Sequence, residues 1–276
     1  MATSPYTDLF GLLDITGEDA VECAHLLDTP PDEPVLRAIT AMQDRLGNFP
    51  LDPVTADGPV QDEAGVERIW IEALLRFAPN VHAYHQNLGI NKAVSAASLA
   101  DVGLQLRINR RVHGHFGLDT WAWLTLHMAG NLFRLGRLQF HLVPDGSQTP
   151  EWVLGVHIPE DGGLSPELVD ASFAEARSFF PRFFPDKPAR NATCDSWMLD
   201  PYLAERLPKS NIASFARRFT LDRCTDAPTD AVYFTFRQRG LHDLNRLPRE
   251  TSLQRVVLER IDDGGTWQLG HGHLAL

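Results

Sequence analysis

The sequence predicts an α+β protein: a helical first half, then a mixed β-sheet flanked by helices. Three observations carry this. The hydrophobic period is three to four until about residue 130 and two afterwards. An Asp145-Gly146 turn joins two apolar, alternating segments. A Gly162-Gly163 pair separates an apolar strand from a well-marked helix start. The division expected is a helical domain over 1–130 and a sheet domain over 131–276.

In the first half, Trp70, Leu74, Phe77, Val81, Tyr84 and Leu88 step by three and four along one helix face. Pro79 interrupts the run and predicts a kink or a meeting of two helices. Leu99, Val102 and Leu106 mark another helix. Asp119 is placed to cap one that carries Trp121, Leu124 and Met128. Residues 48–59, rich in Pro, Asp and Gly, read as a loop.

In the second half, strands are expected over 137–143 and 152–158. Phe133 and Leu135 lie out of phase with Leu138, Phe140 and Leu142, so Gly136 predicts a bulge or bend. Both faces of 152–158 are largely apolar, which predicts a central strand. A helix starts with Ser165 as cap and Pro166 at its first position. Its stripe is Val169, Phe173, Ala176 and Phe180, and Pro181 and Pro185 close it. A strand follows over 190–198, then helices near 201–207 and 211–219. A strand is expected over 231–237, with Val232, Phe234 and Phe236 on one face. Leu253, Val257 and Ile261 face inward on a last helix, and 267–273 is the final strand.

A chain of 276 residues buries roughly 75 % of its unfolded surface, so it needs no covalent staple. The first eight residues lack the basic and apolar regions of a signal peptide. No apolar run reaches the roughly 20 residues that span a bilayer. Cys23, Cys194 and Cys224 form no framework, which suits a reduced, cytoplasmic protein. The net charge of −11 argues against a nucleic-acid-coating surface. It leaves room for a small polyanion held in a local basic pocket. Arg134, Arg137, Arg182, Lys187, Arg190, Arg217 and Arg218 lie in the half with the glycine pair.

That pair is the most informative site. Free backbone N–H groups and the helix dipole converge where a strand turns into a helix N-terminus, and together they hold phosphate. His157 precedes the turn. Arg134 and Arg137 are candidates for a carboxylate or phosphate, because the guanidinium fork pairs with both.

Several phrases go further. They are Gly117-Leu118 with Trp123-Leu124, the run from Phe133 to Phe140, Gly155 to Pro159, Cys194 to Leu199, and Ser210 to Phe215. As a set, over roughly residues 70–220, they resemble two-domain proteins with a helical N-acyltransferase N-terminal domain and a GNAT-like C-terminal domain. The resemblance implies an acyltransferase that moves an acyl group from acyl-CoA to a small-molecule amine or hydroxyl. In that fold a central strand enters a pyrophosphate-binding turn and helix, and the next strand splays away to admit the pantetheine. Gly155, Val156, Ile158, Gly162, Gly163, Leu164 and Ser165 would then hold the acyl-CoA. The turn departs from the GNAT form Gln/Arg-x-x-Gly-x-Gly/Ala: it reads Pro-Glu-Asp-Gly-Gly, and Glu160 and Asp161 are expected to repel a pyrophosphate.

His157 is the candidate general base, its ordinary pKa near 6.5 suiting neutral pH; the plainer reading is a hydrogen-bonded core histidine. Tyr202 or Tyr233 is placed to protonate the departing thiolate. Trp197 and Asn211 are candidates for the acceptor pocket, Asn211 serving otherwise as helix entry. Cys194 and Ser196 share a strand face, so a Cys194–His157 pair would support an acyl-enzyme and a transferase or thioester hydrolase; a small buried thiol is the alternative. A third class is a binding or self-resistance protein that sequesters a small molecule. His82 with His85, His113 with His115, and His271 with His273 have no metal-enzyme spacing, so no metal is expected. His141 is the histidine to compare with His157. No nucleic acid or membrane partner is expected, and a homodimer is left open.

Overall fold

The computed structural model describes residues 5–54, 60 and 65–276. Part of the expected 48–59 loop lies outside the described residues; 48–54 carries no helix or strand. Seven helices come first: α1 (Thr7–Leu13), α2 (Gly17–Leu27), α3 (Glu33–Gln43), α4 (Val66–Asn87), α5 (Lys92–Leu99), α6 (Asp101–His113) and α7 (Trp121–Met128). Asp32 starts α3 by accepting the Val35 N–H at 3.1 Å. Asn91 does the same for α5 through Ala93 N at 2.8 Å.

Pro79 neither breaks nor splits α4, which runs unbroken for 22 residues. Its buried face continues on both sides, from Trp70 and Leu74 to Val81, and that burial outweighs the local cost of about 3 kcal/mol. The expected helix through Leu99 and Leu106 is two, joined at Ala100. Asp119 does not cap α7. Thr120 precedes the helix, and the Asp119 carboxylate binds Arg239 at 2.8 Å.

The sheet follows, with β1 (Leu132–Leu135), β2 (Leu138–Pro144), β3 (Trp152–His157), α8 (Pro166–Phe183), β4 (Asn191–Ser196), a 3-10 turn at Trp197–Leu199, α9 (Pro201–Arg206), α10 (Asn211–Ala216), β5 (Thr220–Asp226), α11 (Asp230–Phe236), α12 (Ser252–Asp262) and β6 (Gln268–Ala275). The strand order is β1-β2-β3-β4-β6-β5, so β3 is central as expected. The phase slip at Gly136 is a chain reversal rather than a bulge. Leu135 pairs with Leu138, and Gly136, at φ 63°, is the first residue of the two-residue turn.

Other boundaries differ for physical reasons. Pro181 lies inside α8 instead of closing it. The expected strand over 231–237 is instead the helix α11, ended by Arg237: it buries Ala231 and Val232, packs Phe236 on a small C-terminal core, and leaves Phe234 50 % exposed. The alternation of large residues was coincidental with a helical i, i+4 pair, Val232 and Phe236. β5 had no apolar signature, because it is a polar edge strand exposed along most of its length.

One core fills the helical half around Trp70, Leu74 and Phe77. A second lies between the sheet and α8, with Phe133, Phe140, Phe173 and Phe180. A third joins Trp197, Val257 and Trp267. No helix among the described residues is long and apolar enough to cross a membrane.

Candidate active site

The parallel pairing of β3 with β4 covers only Val153–Asn191, Leu154–Ala192 and Gly155–Thr193. Beyond it each strand keeps its other partner. β3 stays on β2 through His157–Gln139, and β4 stays on β6 through Ser196–Gly270. The two central strands therefore part. The backbone groups that β3 turns toward β4 past Gly155 lose their strand partner. A cavity of about 760 Å³ opens there. Val156, His157 and Ile158 line one wall, and Cys194, Asp195 and Ser196 line the other. Gly162, Gly163 and Leu164 close one end, below the start of α8, where Ser165 accepts the Leu168 N–H. Asp101, Gln105, Thr120 and Trp123 reach in from the helical half, and Asp230, Tyr233, Phe234 and Arg237 from α11.

His157 thus enters the gap. Its ring meets the Trp123 indole edge-on, centroids 4.7 Å apart. Its Nε2 has no hydrogen-bond partner among the described residues. Burial first, and His127 second, hold its pKa down at about 4, with Asp101 pulling the other way. The imidazole is neutral at pH 7 and keeps a lone pair for a proton. Behind it lies a buried polar cluster. Trp123 Nε1 donates to Asp101 Oδ2 at 3.0 Å, and His127 Nε2 lies 3.3 Å from the same oxygen. Burial works against the Asp101 carboxylate, yet contacts from His127, Trp123 and Gln139 outweigh it and leave the pKa below the usual carboxylate value.

The remaining expected residues divide. Cys194 lines the cavity, but it is 2 % exposed and belongs to the sheet core. Burial, aided by Asp195, pushes its thiol far up, against the thiolate a nucleophile needs. Ser196 lines the cavity and its Oγ accepts the Met198 N–H at 3.1 Å. His141 shares the sheet face of His157 one register step away, at 3 % exposure, its ring centroid 6.0 Å from that of His157. It does not line the cavity. Burial, with His157 and His127, depresses it to about 3.

Tyr202 is not brought to the cavity either. It packs on Trp267 and under the Arg260 guanidinium, and Tyr233 occupies the wall instead. Trp197 and Asn211 line the cavity, although Ser210 rather than Asn211 caps α10. Gly155 and Ser165 sit just outside the lining.

The two arginines do not wait for a ligand. Arg134 grips Asp161 with both nitrogens, at 2.5 and 3.1 Å. Arg137 lines the cavity but binds the turn itself, donating to the carbonyls of Pro159, Gly162 and Gly163. Glu160 pairs with Arg111 and Arg237. The acidic turn expected to repel a pyrophosphate is thus neutralised by its surroundings.

The histidine pairs are used structurally. His82 and His85 share Ser95, His271 meets Asp195, and His273 meets Asp222. No group of three or more His, Cys, Asp or Glu suited to a metal occurs among the described residues. Asp101, and Asp230 and Arg237 at the two ends of α11, escaped sequence reasoning; Tyr233 did not. Trp123 was visible only as part of a phrase.

Central strands that part over a glycine turn at a helix N-terminus define a GNAT-like acyltransferase framework. Family models match both halves: an N-acyltransferase N-terminal domain over residues 5–130 and a GNAT-like C-terminal domain over 132–274. A mutant acyltransferase in complex with octanoyl-CoA is similar at 32 % identity and TM-score 0.86, covering 100 % of this chain and 89 % of that one. An acyltransferase in complex with decanoyl-CoA and teicoplanin is similar at 32 % identity and TM-score 0.84, with 100 % and 89 % covered. A complex with CoA and 10C-teicoplanin gives 32 %, 0.84, 99 % and 88 %. Comparison with curated proteins returned no match. The chain belongs to the two-domain acyltransferases that join an N-acyltransferase N-terminal domain to a GNAT-like C-terminal domain.

Proposed function

We propose that the protein transfers an acyl group from acyl-CoA to an amine or hydroxyl of a small-molecule acceptor. The carrying observation is the parting of β3 from β4 above the glycine turn, with His157 in the gap. The similar structures hold octanoyl-CoA and decanoyl-CoA, which supports a thioester donor of that class. The turn at 162–164 and the N-terminus of α8 receive the pyrophosphate. The pantetheine passes between the strands, and backbone N–H groups of β3 polarise the thioester carbonyl. Trp197, Met198, Ile212 and Leu269 give the acyl chain an apolar wall.

The acceptor enters between the helical half and α11. The neutral His157 takes its proton, and the acceptor attacks the carbonyl carbon. The tetrahedral adduct then expels the CoA thiolate. Tyr233 protonates that thiolate; burial and Asp119 raise its phenol, so it stays protonated as an acid should. We read 1–130 as the domain that shapes the acceptor side and 131–276 as the domain that holds the donor. A cytoplasmic location fits three unpaired cysteines, two of them buried.

The hydrolase alternative draws on a Cys194–His157 pair and on an acidic turn hostile to CoA; burial of the Cys194 thiol speaks against the first and the arginine pairing against the second. Calorimetry with octanoyl-CoA tests donor binding, and thiol release across a panel of amines tests transfer. His157→Ala is expected to lower kcat by about 10²- to 10⁴-fold with the octanoyl-CoA Kd unchanged. No heat and no thermal shift with millimolar octanoyl-CoA would refute the function.

A further inference from the structure

Arg137 begins at a fixed place. Its own N–H donates to Ser172 Oγ of α8 at 2.8 Å, so the β1–β2 turn is pinned against that helix. From there the side chain runs beneath the 159–164 turn and is 7 % exposed. Nε donates to Gly163 O at 2.9 Å, and Nη2 donates to Pro159 O at 2.7 Å and Gly162 O at 2.6 Å. In a trans peptide the C=O and N–H of one plane point in opposite directions. Three carbonyls facing Arg137 therefore put the N–H groups of Glu160, Gly163 and Leu164 on the far side, and these three residues line the cavity.

The charges agree. Arg134 and Arg137 surround Asp161, while Arg111 and Arg237 surround Glu160. Four guanidinium groups face the two carboxylates of the turn. At the turn itself this leaves a positive surplus, the sign a pyrophosphate diester needs, while Asp101, Asp195 and Asp230 also line the cavity. One buried nitrogen, Arg137 Nη1, still lacks a hydrogen-bond partner and lies 3.7 Å from Asp161 Oδ1.

We infer that Arg137 is a positioning residue for the donor: its fork fixes three carbonyls of the acidic turn and so aims the opposite amides at the pyrophosphate of acyl-CoA. This rests on the acyl-CoA reading and goes beyond it. Shape matters as much as charge, since a lysine supplies a point charge without the planar fork.

The test compares two donors that differ by the nucleotide and its pyrophosphate, octanoyl-CoA and octanoyl-pantetheine, by calorimetry or competition. Arg137→Gln is expected to weaken octanoyl-CoA at least tenfold and to leave octanoyl-pantetheine within twofold. Arg137→Lys is expected to recover less than half of the loss on a logarithmic scale. Equal weakening of both donors, no weakening of either, or full recovery with lysine overturns the inference. If neither variant folds, Gly163→Pro removes one outward N–H and leaves Arg137 in place. It is expected to weaken octanoyl-CoA selectively, and an unchanged ratio of the two donors overturns the inference. Wild-type protein that binds neither donor refutes the acyl-CoA reading instead.

Discussion

Acidification should unfold this protein before it silences its base. His85 and His141 are 0 % and 3 % exposed, and His157 is half-buried against the cavity. Burial is the first cause of depression in all three, to about 4, about 3 and about 4 respectively. An unfolded histidine titrates near 6.5. The folded values lie below the unfolded one, so the unfolded state binds more protons between them. The stabilisation is complete above about pH 6.5 and is lost as the pH falls toward 4. Each missing proton is worth about 1.4 kcal/mol per pH unit, so three give a slope of about 4 kcal/mol per unit near pH 5. With His157 discounted for its partial exposure, the loss from pH 6.5 to 5 is about 4 kcal/mol, against a typical total of about 5–15. Folded His157 would hold its lone pair until about pH 4. Urea melts followed by tryptophan fluorescence at half-unit steps from pH 7.5 to 4.5 give the slope, and turnover at the same steps gives the rate. The two curves should fall together. Flat stability between pH 6.5 and 5, or a rate that titrates near 6.5 in protein that is still folded, would refute this reasoning.

Three further outcomes are expected. Cys194→Ala should keep turnover within about twofold, because a thiol raised by burial supplies no thiolate; loss of turnover would restore the acyl-enzyme route. Gly270→Ala should lower stability by about 1–3 kcal/mol, since the new Cβ meets Leu199 Cβ at 2.6 Å and its backbone at 2.9 Å; an unchanged Tm contradicts that. Asp101→Asn should cost about 1–3 kcal/mol, because the carboxylate that accepts from Trp123 Nε1 beside His127 Nε2 becomes a neutral amide. Adding His127→Gln should return part of that loss in the same denaturation assay.

Much of the sheet was legible because its signals are local. Alternation, an Asp-Gly turn and a capped helix start lie within a few residues of one another, and β2, β3, α8 and β4 follow in that order. Even the parting of β3 from β4 was anticipated, though only through the resemblance. What failed was decided by distant partners. Residues 231–237 carry β-branched and aromatic side chains, yet Val232 and Phe236 find their cover one helical turn apart. β5 is held by β6 rather than by any apolar face of its own. Tyr202 and Tyr233 were equal candidates by type. Their separation depends on where α9 and α11 come to rest, which no local pattern encodes. Asp101 and Trp123 reach the cavity across the boundary between the halves, so nothing near His157 in sequence announces them.

The acidic turn shows why the sign of a motif is not a local quantity. Its own residues carry two negative charges. The arginines that answer them come from α6, from β1, from the β1–β2 turn and from the end of α11, at positions 111, 134, 137 and 237. Arg237 reaches Glu160 from a left-handed residue at φ 58°, a conformation uncommon for a residue with a Cβ, and one that ends α11 at the cavity rim. The carboxylates thereby act as anchors. Each holds two cations beside the turn, and that shell leaves the turn on the positive side. A GNAT turn with a basic residue carries its charge in the loop. This one draws it from neighbouring elements and ties the helical half to the sheet in doing so, through Arg111 and Glu160.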